Sequence, residues 1–209
     1  MKYGDLSLGQ IEAIVNKLGG MDKVNMFLRG ELIISELTRS WTEKDGVIYL
    51  DDDLVSDGTT GEEWIARLES KGFRVSNYAK SVLRSESFVL SNPGTIYRVA
   101  VLKGEIFSDN KRITKNIRKE AKKRSLSTPN TEIACLIREK FSDKELEAMD
   151  LYWIVTMHEA IKDSDGDPRL LFANRFYDGS WLSTRCGVPD YKWLRAGGFA
   201  FVVSQVSGS

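Results

Sequence analysis

The chain has 209 residues, 42% hydrophobic and 29% charged, and its 30 basic side chains balance 30 acidic ones. With a mean hydropathy of -0.29 this excludes collagen-like, low-complexity and fully disordered chains. No apolar run approaches the roughly 18–20 residues that cross a bilayer, and the opening MKYGDLSLGQ lacks the apolar core of a secretion leader. Two cysteines, Cys135 and Cys186, cannot build a disulfide framework, and with a single histidine they offer too few soft ligands for a structural zinc. The expectation is a cytoplasmic chain without membrane association, metal or cofactor.

In chain order, Leu8, Ile11, Ile14, Val15 and Leu18 form one face of a helix starting near Ser7, and Gly19-Gly20 ends it. A second short helix runs from Met21 to about Arg29, followed by Leu32-Ile33-Ile34 as a short strand or connector. Val47–Leu50 reads as a strand after the turn Glu43–Gly46. The acidic, turn-rich stretch Asp51–Gly58 marks a boundary, so residues 1–58 are expected to form a helical hairpin plus short strands.

Residues 59–150 read as a mixed, mostly helical region. Thr60 and Glu63 have capping-box spacing, Lys71-Gly72 stops that helix, and a second covers Asn77–Leu83. Phe88–Leu90 and Ile96–Leu102 are expected strands around the turn Asn92-Pro93-Gly94. Ser108-Asp109-Asn110 would cap a helix to about Arg124; Pro129 would open the next, and Ser142 with Glu145 would cap a third. Residues 151–209 read as an antiparallel β-rich unit, with strands near Tyr152–Met157, Leu170–Phe172, Trp181–Thr184 and Phe199–Val203. No linker parts this unit from the middle region, so the two are expected to share a core. The fold class is α+β: an N-terminal helical hairpin, a mixed helical middle with a short sheet, and an antiparallel β-rich C-terminal unit.

The segments LSLGQIEAIVNKLGG with FLRGEL, TEIACLIREKFSDKELEAM, HEAIKDSDGDPRLLF, DGSWL and FAFVV together resemble a family of uncharacterised bacterial proteins over most of the chain. The resemblance implies a bacterial, cytosolic protein of modular build. It carries no activity, so it transfers no functional residues.

The zero net charge hides an asymmetry: residues 1–60 carry a net charge of -5, residues 61–124 one of +8, and residues 125–209 one of -3. The basic excess peaks at Lys111–Arg124, where eight of fourteen side chains are cationic beside a narrow stripe of Ile113, Ile117 and Ala121. Lys111, Arg112, Lys115, Arg118, Lys119, Lys122 and Lys123 are the candidate nucleic-acid or anion contacts, since phosphates bind such a surface by charge neutralisation. The plainer alternative is a solvated helix docked against the acidic flanks. The C-terminal region concentrates aromatic residues. Arg175, Tyr177, Trp181, Arg185, Tyr191, Trp193 and Arg195 form a candidate interaction face, because Trp, Tyr and Arg dominate interface hot spots.

Other chemistries have weaker support. Asp163-Ser164-Asp165-Gly166-Asp167 departs from EF-hand spacing and reads as a turn. His158-Glu159 lacks a second histidine, and no nucleophile elbow or phosphate loop is present. The expected function is a non-enzymatic binding module with a protein or small-ligand partner. A nucleic-acid-associated protein is the alternative, and a hydrolase using His158 and nearby acids the third reading.

Overall fold

Ser7 starts the first helix for the reason its spacing suggests: its hydroxyl accepts from the Gln10 N–H while the Gln10 side chain reaches back to the Ser7 N–H. The computed structural model describes residues 7–33 and 40–203, which fall into two units, Met1–Arg39 and Ser40–Ser209. The first unit is a helical hairpin, α1 (Leu8–Leu18) and α2 (Met21–Leu28), joined by Gly19 and Gly20 at φ of +93° and +95°. Leu32 and Ile33 form no strand; Ile34 lies outside the described residues.

The second unit is built on a mixed sheet. Its strands are β1 (Trp41–Lys44), β2 (Val47–Leu50), β4 (Arg74–Val75), β6 (Val99–Lys103), β7 (Leu126–Ser127), β8 (Trp153–Thr156), β9 (Ile161–Lys162), β10 (Pro168–Phe176), β11 (Gly179–Cys186) and β12 (Gly197–Val203). The order is β1-β2-β6-β12-β8-β10-β11-β4, with β7 added to β12 and β9 to β10. A separate pair joins β3 (Leu54–Val55) to β5 (Ile96–Tyr97). The helices are α3 (Gly61–Ser70), α4 (Asn77–Leu83), α5 (Thr114–Lys123), α6 (Ile133–Lys140) and α7 (Asp143–Ala148).

Successive strand side chains alternate between the two faces of the sheet. One face carries Ile48, Val101, Ile154, Leu171, Ala173, Leu182 and Ala200, and packs against Trp64 and Leu68 of α3, Val82 of α4, Ile137 of α6 and Leu146 of α7. The second face carries Val47, Leu102, Val155, Phe172, Phe199 and Phe201, and packs against Ile117 and Ala121 of α5 and against Trp193.

Several expectations are corrected. The hairpin Trp41–Leu50, assigned by sequence to the N-terminal unit, pairs through β2 with β6, so the division falls at residue 39 rather than 58. The C-terminal strands are not purely antiparallel. β12 lies parallel to β8 and antiparallel to β6 because it inserts between them instead of continuing the meander. The basic helix begins at Thr114 rather than Asn110, because residues 108–112 are held in turns and Ile113 bridges to Lys192. Ser127 belongs to β7 and α6 starts only at Ile133, since the backbone of residues 126–127 is taken by β12. Phe88–Leu90 forms no strand, and Ile96–Leu102 is split between two sheets at Arg98.

Candidate functional site

The second face of the sheet is unevenly covered. Of the helices among the described residues 40–203, only α5 contributes buried side chains to it, in one cluster with residues of β6, β12 and β8 and with Leu170 and Phe172 of β10. Toward β10, β11 and β4 the strand registers place Trp153, Asn174 and Trp181 side by side, with Phe172 opposite Ser183 and Leu170 opposite Arg185. Parallel pairing puts Arg74 beside Trp181. The guanidinium of Arg74 stands 5.3 Å over the Trp181 ring, and that of Arg185 stands 5.3 Å over Phe172.

A chain of rings borders this area. Tyr191 meets Trp193 edge-on at 4.8 Å, and Trp193 lies 5.5 Å from Trp153 and 5.6 Å from Phe199. Trp153 can lie flat across β12 because its strand partner is Gly197. A Cβ there would come within 2.0 Å of the indole. The Trp193 indole N–H donates to the Thr114 hydroxyl at 3.0 Å, which ties the border to the start of α5. Two hollows open on this face. One of about 300 Å³ is lined by Trp153, Phe172, Arg185 and residues 191–194. The other, of about 370 Å³, is lined by Ser76, Phe176, Tyr177, Asp178, Trp181 and Ser183.

Asn174 is the polar anomaly of the region. It is 1% exposed, and neither its amide nitrogen nor its amide oxygen has a hydrogen-bond partner. Buried amides in native proteins nearly always find one, so this side chain holds unused donor and acceptor capacity at the register position between Trp153 and Trp181.

A third hollow, of about 470 Å³, lies along α5 and is lined by Thr114, Lys115, Arg118, Lys119, Lys122, Glu159, Ala160, Gly187 and Pro189. Helical spacing explains the cations: 115, 118, 119 and 122 recur at three and four, opposite the buried Ile117 and Ala121. Arg118 is fixed by donating to the His158 carbonyl at 2.6 Å and by Glu159 at 3.6 Å. Burial pushes its pKa below the usual arginine value, against the pull of Glu159. Lys115 pairs with Asp190 at 2.5 Å. Lys119 and Lys122 are exposed and carry no ion pair among the described residues. The segment 187–194 separates this hollow from the aromatic ones. It is stitched to α5 by Lys115 N–H to the Pro189 carbonyl at 2.8 Å and Thr114 N–H to the Tyr191 carbonyl at 3.2 Å.

The structure therefore groups Trp181, Arg185, Tyr191 and Trp193 on one face, with Tyr177 at the exposed hairpin tip beside it. Arg175 does not join them. It points to the opposite face, over Tyr152, and donates to the Leu151 carbonyl at 3.1 Å. Arg195 lies apart, beside Lys103, Glu105 and Asp150. Lys115, Arg118, Lys119 and Lys122 share one concavity, and Lys111 is exposed outside it. Lys123 turns to Glu120 at 3.3 Å. Arg112 is no phosphate contact. It is 4% exposed, and its guanidinium donates to the carbonyls of Gly104 and Phe107, both at 2.7 Å. Trp153, Phe172, Asn174 and Phe176 were missed as members of the face. Period-two alternation along Leu170–Phe176 was the signal that could have found the last three.

His158 is 1% exposed and has no free ring nitrogen. The Leu171 N–H donates to Nε2 at 3.0 Å, which leaves the proton on Nδ1 to be donated to the Glu159 carbonyl at 2.7 Å. Burial pushes its pKa down to about 4, and no general-base role is open to it in this arrangement. Asp163 is a turn residue: its carboxylate accepts the N–H groups of Asp165 and Asp167 and pairs with Arg169 at 2.5 Å. Among the described residues no three His, Cys, Asp or Glu side chains gather as metal ligands, and no helix is long and apolar enough to cross a membrane. Comparison with protein-family models, curated proteins and solved structures gave no match.

Proposed function

We propose that the protein is a non-enzymatic binding module whose ligand lies on the helix-free part of the second face, with the cations of α5 as an anionic-contact surface. The observation that carries this reading is the group formed by Trp153, Trp181, Tyr191 and Arg185 around two hollows, with the buried, unpartnered Asn174 in strand register between the two tryptophans. Trp153, Trp181 and Tyr191 are half-buried, and Phe176 and Tyr177 beside them are exposed; accessible aromatic area rimmed by charge marks a binding surface. The ligand class follows from the lining: flat or apolar groups for the aromatic floor, and negative charge for the neighbouring lysines.

An aromatic anion tests this directly. The chain has five tryptophans, and their indole N–H signals can be followed in an NMR titration with anilinonaphthalene sulfonate. Trp41 and Trp64 belong to the opposite, helix-packed core and serve as internal controls. The expected result is movement of the Trp153, Trp181 and Trp193 signals with the other two still. Equal movement of all five, or of none, would overturn the reading.

A further inference from the structure

We infer that the ligand is a single strand of nucleic acid laid along β11, its phosphates on the α5 cations and its bases on the aromatic floor. This rests on the binding-face reading and adds the ligand class.

Three observations carry it. The hollows succeed one another along one strand direction: Gly187 and Pro189 line the first, Arg185 the second, and Ser183 and Trp181 the third. The eight residues of β11 span about 25 Å, enough for several nucleotides. Next, the two chemistries lie on either side of segment 187–194, with Lys119 and Lys122 on one side and Trp153 and Trp181 on the other, so a strand crossing that segment would meet both. A polyphosphate or acidic peptide uses only the first of these chemistries, and an apolar peptide only the second. A duplex hides the faces of its bases, whereas a single strand offers charge and flat rings together. Finally, Asn174, whose strand register sets it between Trp153 and Trp181, holds a donor and an acceptor that are buried and unpartnered. A base that displaced the side chains covering it would meet an amide able to pair with its edge.

The test is fluorescence anisotropy with a labelled single strand of about 12 nucleotides, the matching duplex, and inorganic polyphosphate as competitor. Single-strand binding should exceed duplex binding. It should weaken about 20-fold between about 50 and 200 mM salt if three phosphates are neutralised. Lys119→Glu with Lys122→Glu, both exposed positions, should cost at least about tenfold in affinity. Trp181→Leu should cost about tenfold and Trp181→Phe much less, because stacking needs a ring rather than apolar bulk. Arg185→Glu, at an exposed side chain, repeats the test should Trp181→Leu melt early.

Duplex binding as tight as single-strand binding would overturn the inference. So would full displacement by polyphosphate with Trp181→Leu and Arg185→Glu both silent, which would leave only a polyanion surface. Absence of oligonucleotide binding while the aromatic sulfonate still moves the Trp153 and Trp181 signals would also remove the nucleic acid and keep the binding face. Failure of both assays would remove both.

Discussion

The two faces of the sheet have the same strands and opposite fates. One is sealed by α3, α4, α6 and α7 over a continuous core, in which Trp64, Leu68 and Ile137 are fully buried. The other is sealed by α5 and Trp193 in a cluster that reaches Leu170 and Phe172 of β10, and beyond it carries the half-buried Trp153 and Trp181 with the exposed Arg185. The lesson lies in how charge is treated. On the packed face Arg138 is fully buried, sits 4.9 Å over Phe73, donates to the carbonyls of Asn174 and Phe141, and pairs with Asp143 at 3.2 Å. On the second face Arg185 stands over the buried Phe172 ring while its own side chain is exposed to solvent. The first arrangement holds a fold together, and the second leaves a cation available.

Substitutions at matched tryptophans would break this contrast most directly. Trp64→Ala on the packed face should cost about 3–5 kcal/mol in chemical denaturation, since the ring is fully buried. Trp181→Ala should cost about 1 kcal/mol, chiefly its contacts with Arg74 and Asp178. Equal costs would mean that the second face is as much a core as the first.

The next effect is one of pH. Burial holds His158 neutral in the folded state with a pKa of about 4, while the unfolded chain protonates near 6.5. The depressed value means the unfolded state binds more protons between these limits, so stability is intact above pH 6.5 and is lost as pH falls toward 4. The loss is about 3 kcal/mol, and His158→Gln should flatten that slope. Gly197→Ala should cost about 2 kcal/mol, because the added methyl collides with the Trp153 indole. It should shift the Trp153 indole signal while leaving that of Trp64 in place. The smallest effect belongs to the helix cap: Thr60→Ala removes the acceptor of the Glu63 N–H and should cost about 1 kcal/mol by thermal melting.

What was legible in the sequence was local. The capping boxes at Thr60 and Ser142, and the apolar spacing of Leu8–Leu18, marked their helices because each signal lies within a few residues of its helix. The α+β class followed from the same elements. The strand order was not legible, because the insertion of β12 between β6 and β8 depends on partners that no local pattern names. Within the candidate site, Lys115, Arg118, Lys119 and Lys122 could be read from helical spacing. Arg112 looked identical in composition, yet it precedes the helix and is fixed by carbonyls at Gly104 and Phe107. Arg175 and Arg185 sit on adjoining strands, and the pleat sends them to opposite faces.

The insertion of β12 also sets the order in which the protein can fold. The β8-β10-β11 meander is assembled from near neighbours in the chain, whereas the β1-β2 hairpin finds β6 only across the pairing of Val47 with Leu102, and residues 197–203 then join the two halves. On a ribosome the two halves of the sheet would wait, each with an unpaired edge at β6 or β8, until that strand emerged. Such non-local closure slows folding. A nascent chain stalled before Gly197 would expose two strand edges able to pair with other chains, so aggregation during synthesis is the hazard that this topology carries.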